Sequence, residues 1–197
     1  MVGRCFAHAG IALTLLALFA GTPAHAHGIG DGGTGLLAGF AHPVTGWDHA
    51  VAMVAVGIWA AQCGGAARWM LPTGFLAAMA VGGALGGIGV VLPAVESGIA
   101  LSLLALGIAI AAAARPAAWM GMALVAVFAL FHGHAHGTEM PGGASPALHA
   151  LGFLVATAAL HAAGLGGGGL AARLAGNWGP RLVGAAISLG GAFLVAA

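Results

Sequence analysis

Long apolar stretches dominate this chain, and Gly, Pro and Arg residues separate them. Six of the stretches are each about 20 residues long, the length that an α-helix needs to cross a bilayer. They are continuously apolar and do not alternate with polar residues, so helices are favoured over the strands of a barrel. The predicted spans are 44–62, 69–91, 95–114, 117–136, 146–167 and 178–197. We therefore expect an all-α membrane protein whose single transmembrane domain, residues 27–197, is a compact bundle of about six helices.

Two segments before the first span have other predicted roles. Residues 1–26 resemble a secretory signal peptide: Arg4 supplies a positive charge, residues 11–20 are apolar but too short to span, and residues 24–26 form an A-x-A cleavage pattern. Cleavage there gives a mature chain that begins at His27 on the periplasmic side; an uncleaved N-terminal anchor is the alternative. Residues 34–41 are also too short to span, and they are predicted to form a half-helix or a re-entrant segment.

Charged residues are scarce, and their positions indicate an orientation. Only 5% of the residues are charged, whereas a soluble domain carries about 25%. A soluble domain, and a nucleic-acid-binding protein with its basic stripe, are therefore excluded. With the mature N-terminus outside, counting six spans places every loop that carries an Arg on the cytoplasmic side, as the positive-inside rule requires. These residues are Arg68, Arg115, Arg173 and Arg181.

Two overlapping GxxxG patterns lie in the second predicted span. Gly82 and Gly86 form one of them, and Gly83 and Gly87 form the other. Small residues at this spacing let two helices approach closely. Tight packing within the bundle is the main interpretation, and a role in the wall of a pathway is the alternative.

Ionisable side chains gather at the outer ends of the predicted first and fourth spans. Such groups are costly within the hydrocarbon and by default mark a site or a pathway. The fourth-span group has the i, i+4, i+7 spacing that places residues on one helix face. His42 and His49 would also share a face if Pro43 lies in the first turn of its helix. The helical rise brings the two groups to similar depths, so we expect them to converge. The six residues are His42, Asp48, His49, His132, His136 and Glu139.

The donor atoms of this predicted cluster suit a divalent transition metal. Imidazole and carboxylate together favour ions such as Ni²⁺, Co²⁺ and Zn²⁺. No Cys belongs to the cluster, which argues against Cu(I) and iron–sulfur centres. Asp48 is either a ligand itself or the carboxylate that orients a histidine ligand.

Five further residues have weaker interpretations as metal ligands or pathway residues. They are His27, Glu96, His134, His149 and His161. His27 could chelate a metal through its imidazole and a free α-amine, or it could have no role beyond following the cleavage site. Glu96 also suits a helix N-terminus, where acidic groups are favourable. His134 points away from the ligand face and is interpreted as a supporting or exposed residue. Local hydrogen bonds are the main interpretation of His161, with an exit-side ligand as the alternative, and they explain His149 as well as a metal role does.

Two motifs in the sequence resemble those of the HupE/UreJ family. The first is HPVTGWDH at residues 42–49, followed by the matching residues 52–53, 56–57 and 59–62; the second is FHGHAHGTE at residues 131–139. The resemblance covers nearly the whole chain and assigns the six cluster residues to these motifs. Glu96 also resembles an acidic position of the family. The resemblance implies a bacterial inner-membrane permease for nickel, in some members cobalt, that accompanies cytoplasmic maturation proteins of hydrogenase or urease.

The expected function is therefore uptake of Ni²⁺, or Co²⁺, as a transported substrate, with no prosthetic group and no enzymatic activity. The lipid bilayer is an expected partner; nucleic acid and nucleotides are not, since the chain has no G-x-x-x-x-G-K-[ST] loop. An intramembrane metal-dependent hydrolase is the main alternative, because the same residues could hold a zinc that activates water. No H-E-x-x-H motif supports it. A haem-binding electron carrier and a metal sensor or storage protein are weaker alternatives.

Overall fold

The computed structural model describes residues 35–140 and 145–197, and all regular structure in these residues is helical. The predicted signal peptide and His27 lie outside the described residues, so both stay predictions. The described helices are α1 (Leu36–Thr45), α2 (Trp47–Cys63), α3 (Ala67–Gly87), α4 (Val95–Ala111), α5 (Ala118–Thr138), α6 (Pro146–Ala175) and α7 (Trp178–Ala196).

Four of these helices are long and apolar enough to cross a membrane, namely α3, α5, α6 and α7. Together α1 and α2 pass the same test as one pair, which is bent by 89° and raises the number to as many as five. The remaining helix, α4, is a shorter apolar helix of 17 residues, or ~26 Å at the α-helical rise. The multi-pass, all-helical architecture is confirmed, while the count of six spans stays a prediction.

The helix in the first predicted span, 44–62, begins at Trp47 and not at residue 44. The chain does not run straight through this region, because Gly46 has an extended conformation (φ −95°, ψ 108°) that ends α1 and begins α2. Pro43 lies inside α1 rather than in the first turn of a helix that contains His49. His42 and His49 therefore belong to two different helices and do not share a face. The separate short helix does agree with the half-helix that was predicted for this segment.

The helix in the fifth predicted span, 146–167, is longer than predicted. The helix α6 continues through the glycine run at residues 166–169 and reaches Ala175. Neighbouring helices stabilise this glycine-rich segment, since Gly168 packs against Ile58 of α2. Tertiary contacts therefore override the low helix propensity of glycine here.

Close backbone crossings at glycine join the helices in pairs. The largest contacts are those of α3 with α5, α4 with α7, and α6 with both α1 and α2. A Cβ atom added at Gly82 would overlap the carbonyl oxygen of Leu130, and one added at Gly133 would overlap that of Met79. The predicted tight packing of the second span is thus confirmed for the Gly82 register. Small residues stabilise such crossings because the backbones can come into van der Waals contact.

Replacement of Gly82 by Ala should destabilise the bundle by about 1–3 kcal/mol, because an added methyl group must push α3 away from α5. Its neighbour offers a matched control: a Cβ added at Gly83 lies 3.5 Å from the carbonyl oxygen of Gly133, which is an ordinary contact. Thermal unfolding of the two purified variants in detergent measures the difference. Equal melting temperatures for Gly82→Ala and Gly83→Ala would contradict this packing.

Side chains of α2 and α7 donate hydrogen bonds at the C-terminal end of α4. The Trp59 Nε1–H donates a hydrogen bond to the carbonyl oxygen of Ala114 (2.9 Å), and the Gln62 Nε2–H donates to that of Ile110 (3.2 Å). The Arg181 Nε–H donates to the carbonyl oxygen of Ala111 (2.8 Å). The last carbonyl groups of a helix lack partners within the helix, and Gln62 and Arg181 donate to two of them. Trp59 donates to the connection that follows α4. These hydrogen bonds also fix α2 and α7 against α4.

Candidate metal centre

The bend between α1 and α2 brings two histidines onto one ring of α5. The ring centroid of His136 lies 4.7 Å from that of His42 on α1 and 4.4 Å from that of His49 on α2. Because the two short segments meet at 89°, both reach the same point from different directions. His136 is buried and lies between them. The structure thus brings together the first-span and fourth-span groups of the sequence analysis.

The outer cluster consists of His42, His136 and Glu139. One possible ligand atom from each residue lies within 4.8 Å of the others, so the three could hold one metal ion. The Nε2 atom of His42 lies 3.4 Å from Oε2 of Glu139, whose side chain is 54% exposed. Contact with His42 lowers the pKa of the Glu139 carboxyl, which is therefore ionised at neutral pH. The outer cluster offers two imidazoles and a carboxylate that solvent can reach.

The inner cluster consists of Asp48, His49 and His132. Asp48 Oδ1 accepts a hydrogen bond from the His49 backbone N–H (2.9 Å) and lies 3.0 Å from Nδ1 of the same histidine. A proton on Nδ1 satisfies this carboxylate and leaves Nε2 with a free lone pair. Within the described residues, this Nε2 is buried and has no hydrogen-bond partner. A carboxylate that orients a histidine in this way is typical of metal sites.

Ser102 gives His132 a defined tautomer in the same way. The Ser102 hydroxyl donates its hydrogen to the carbonyl oxygen of Ile99 (2.6 Å), and its oxygen lies 2.9 Å from Nε2 of His132. The hydroxyl has only one hydrogen, so its oxygen must accept a hydrogen bond from the Nε2–H of His132. The lone pair of His132 is then on Nδ1, which is buried without a partner among the described residues. The His132 ring centroid is 4.9 Å from that of His49.

Buried imidazole nitrogens without partners are concentrated around these clusters. Leaving such an atom unpaired costs about 1–3 kcal/mol, so several in one region indicate a ligand or water. The donors are nitrogen and oxygen atoms, which suit borderline divalent ions. In the described part of the chain, the buried side-chain atoms without a hydrogen-bond partner are His42 Nε2, His49 Nε2, Gln62 Oε1, His132 Nδ1, His134 Nδ1, and both ring nitrogens of His136, His149 and His161.

Two aromatic residues that sequence analysis missed complete the arrangement. The Phe75 ring lies between two histidines, 5.8 Å from the His132 centroid and 5.1 Å from that of His161. The Phe153 ring lies 4.3 Å from that of His136. Neither phenylalanine stands out within its apolar stretch, so the sequence carries no signal for it. Ser102 is a polar residue within the apolar run of α4, and this position could have indicated a role for it.

The weaker candidates lie in different surroundings. His149 is buried at the outer cluster, with its ring 5.6 Å from that of His42. Fully buried beyond Phe75, His161 forms no local hydrogen bond with the described residues. The Nε2 atom of His134 lies 2.7 Å from the carbonyl oxygen of Val90, outside the clusters. His134 is buried, so its interpretation as an exposed residue is wrong.

Glu96 begins α4 near the clusters but is not part of them. Its side chain is exposed, and with Asp48 it lines a groove of about 250 Å³. It lies in the first turn of the helix and makes no capping hydrogen bond there. Glu96 has two predicted roles, as an acidic group that is favourable at a helix N-terminus and as a metal ligand or pathway residue. Both stay predictions.

These features define a multi-pass helical membrane protein with histidine and carboxylate side chains clustered at one end of its bundle. The family described as HupE / UreJ protein matches residues 13–194 of the chain. The chain is also 43% identical over 185 residues to Protein HupE of Rhizobium leguminosarum bv. viciae, with 94% of this chain and 96% of the relative covered. The chain belongs to the HupE/UreJ family. No solved structure matches it.

Proposed function

We propose that this protein is an inner-membrane permease, with its mature N-terminus in the periplasm, that takes up Ni²⁺ or Co²⁺ through the outer and inner clusters. The HupE/UreJ family is associated with uptake of these metals for hydrogenase and urease, so the imported ion would serve maturation of such an enzyme in the cytoplasm. The observation that carries the proposal is the group of buried imidazoles without partners beside two carboxylates. Family membership also favours transport over the alternative of a hydrolase.

A row of rings gives the proposed pathway. Consecutive ring centroids are 4.4–5.8 Å apart in the order His42, His136, His49, His132, Phe75 and His161. An ion could move between neighbouring imidazoles by exchanging one ligand at a time. A transport site must bind strongly enough to admit the ion and weakly enough to release it. We therefore expect each position to hold the metal with few protein ligands and some retained water.

The membrane potential can supply the driving force. It favours inward movement of a divalent cation by ~4.6 kcal/mol per 100 mV. No nucleotide-binding loop occurs in the sequence. Phe75, an apolar ring between His132 and His161, would separate the outer part of the pathway from its inner part.

Nickel flux into sealed vesicles tests the proposal. The purified protein is reconstituted into liposomes that contain a nickel-sensitive dye, and a potassium gradient makes the interior negative. We expect nickel to enter vesicles that contain the wild-type protein, and the His49→Ala and His132→Ala variants to abolish this flux. Wild-type vesicles that bind nickel only outside would indicate a sensor or storage protein instead. Chelator-sensitive hydrolysis without flux would favour the hydrolase.

Ser102→Ala should weaken nickel binding about tenfold, the lower end of the range for residues that orient a metal ligand. The substitution removes the acceptor that fixes the tautomer of His132. Ser188→Ala is a matched control, because the Ser188 hydroxyl donates only to its own helix, at the Ala185 carbonyl oxygen (3.2 Å). Isothermal titration with NiCl₂ measures both affinities. Equal affinities for the two variants would show that Ser102 does not act through His132.

A further inference from the structure

A cavity of about 560 Å³ lies at the end of the bundle opposite to the metal clusters. Four separate segments line it: the end of α2, the start of α3, the α4–α5 connection, and the end of α6 with the start of α7. Its polar side chains are Gln62, Arg68, Arg115, Arg173, Asn177 and Arg181. We call it the arginine cavity, since it collects every arginine of the chain except Arg4.

The arginine cavity has no acidic side chain. The three acidic residues within the described ranges, Asp48, Glu96 and Glu139, all lie near the metal clusters. The ion pairs found in these ranges involve histidines and no arginine. Four positive charges that converge without a counter-charge repel one another, and a bound anion relieves this repulsion. The planar guanidinium group matches a phosphate particularly well, because it can donate two parallel hydrogen bonds.

Orientation in the membrane explains part of this pattern but not all of it. The positive-inside rule accounts for arginines at the cytoplasmic end of the bundle. It does not require that arginines from distant segments line one cavity. Arg181 is fixed by its hydrogen bond to the Ala111 carbonyl oxygen, while Arg68, Arg115 and Arg173 are exposed. The three exposed side chains line the same cavity and are accessible to a ligand there.

Three tryptophans place the arginine cavity at the level of the lipid headgroups. Trp69, Trp119 and Trp178 are 72%, 63% and 65% exposed, and each lies in the first turn of a helix at this end of the bundle. Exposed Trp residues are typical of the interface between the hydrocarbon and the headgroups. The Arg181 guanidinium lies 5.0 Å from the Trp178 ring centroid, which links the aromatic level directly to the cavity.

We propose that the arginine cavity binds the phosphate of an anionic phospholipid headgroup from the inner leaflet. The charge and the guanidinium geometry select a phosphate anion, and the surrounding tryptophans select one that is attached to a lipid. Basic pockets between transmembrane helices on the cytoplasmic side are suited to such headgroups. A lipid held there would contact the ends of α2, α3, α6 and α7 together.

Lipid selectivity of the purified full-length protein tests this assignment. The protein is equilibrated in micelles with equal amounts of phosphatidylglycerol and phosphatidylcholine, and native mass spectrometry counts the bound lipids. We expect wild-type protein to prefer phosphatidylglycerol, and each arginine changed to Gln to weaken the preference about fivefold. Equal binding of the two lipids by the wild-type protein would overturn the proposal. So would an unchanged preference in the combined Arg68→Gln, Arg115→Gln and Arg173→Gln variant.

Two glycine substitutions test the cavity without changing any charge. They therefore leave the orientation of the protein in the membrane unchanged. A Cβ added at Gly169 or at Gly167 meets nothing within 4 Å, and only Gly169 lines the arginine cavity. We expect Gly169→Phe to lose the preference for phosphatidylglycerol and Gly167→Phe to keep it. The same preference in both variants would overturn the proposal. Free inorganic phosphate in excess should not displace the lipid; displacement would assign the cavity to a soluble phosphate compound and overturn the lipid assignment.

Discussion

Nickel uptake should fall about 100-fold when His136 is replaced by Gln, the upper end of the range for losing a residue that merely supports a ligand. His136 is the ring that contacts both His42 and His49, so its loss separates the outer cluster from the inner one. Glutamine is similar in size and polarity, but its amide is a much weaker ligand for nickel than an imidazole. Nickel accumulation in cells at matched expression measures the effect.

His134→Gln is the matched control for this substitution. His134 lies two residues away on α5, is similarly buried, and has one ring nitrogen 2.7 Å from the carbonyl oxygen of Val90. We expect this variant to keep most of the uptake, because its ring is directed to the α3–α4 connection and not to the clusters. Similar losses in the two variants would mean that folding of α5, and not metal binding, is being measured.

Glu139→Gln should reduce uptake by about tenfold or more at low nickel concentration, because it removes the carboxylate of the outer cluster while keeping its shape. A carboxylate oxygen of Glu139 lies within 4.8 Å of ring nitrogens of His42 and His136. The Glu139 side chain is also partly exposed, so it would meet the ion first. Loss of an outer attractive charge weakens capture more than it slows passage. We therefore expect the apparent KM for nickel to rise, with a smaller change in the maximal rate.

Thr138→Val is the control for Glu139→Gln. The Thr138 hydroxyl donates to the Ala135 carbonyl oxygen of its own helix (2.7 Å). Replacement of Thr138 therefore tests the integrity of the end of α5 without changing a charge. Uptake at several nickel concentrations separates the two effects. A Glu139→Gln variant with an unchanged KM, or a Thr138→Val variant with the same rise, would contradict a capture role for the carboxylate.

The six residues that form the two clusters were predictable because each motif keeps its own residues close along the chain. His132, His136 and Glu139 follow a helical spacing, and α5 does continue to Thr138 as this spacing requires. Costly polar groups in an apolar stretch are a strong signal, since hydrophobic patterning alone cannot explain them. Their convergence with His42 and His49 then followed from the order of the spans.

The route of the chain between His42 and His49 was not predictable from spacing. The seven-residue spacing of His42 and His49 fits one continuous helix and gives no sign of the 89° bend. The packing of α1 against α6 stabilises this bend, since a Cβ at Gly39 or Gly152 would overlap the opposite backbone. Long-range contacts of this kind also position Ser102 and Phe75, which come from other helices. The long apolar stretches therefore predicted the helical segments, and tertiary packing determined their arrangement.

X-ray absorption at the nickel K edge of the metal-loaded, purified protein tests the central claim most directly. The claim is that imidazoles from α1–α2 and from α5 bind one cation between them. We expect a shell of nitrogen and oxygen atoms without sulfur, with more than one imidazole in the wild-type protein and fewer in the His136→Gln variant. A shell of water oxygens alone, or an imidazole count that His136→Gln leaves unchanged, would contradict the account.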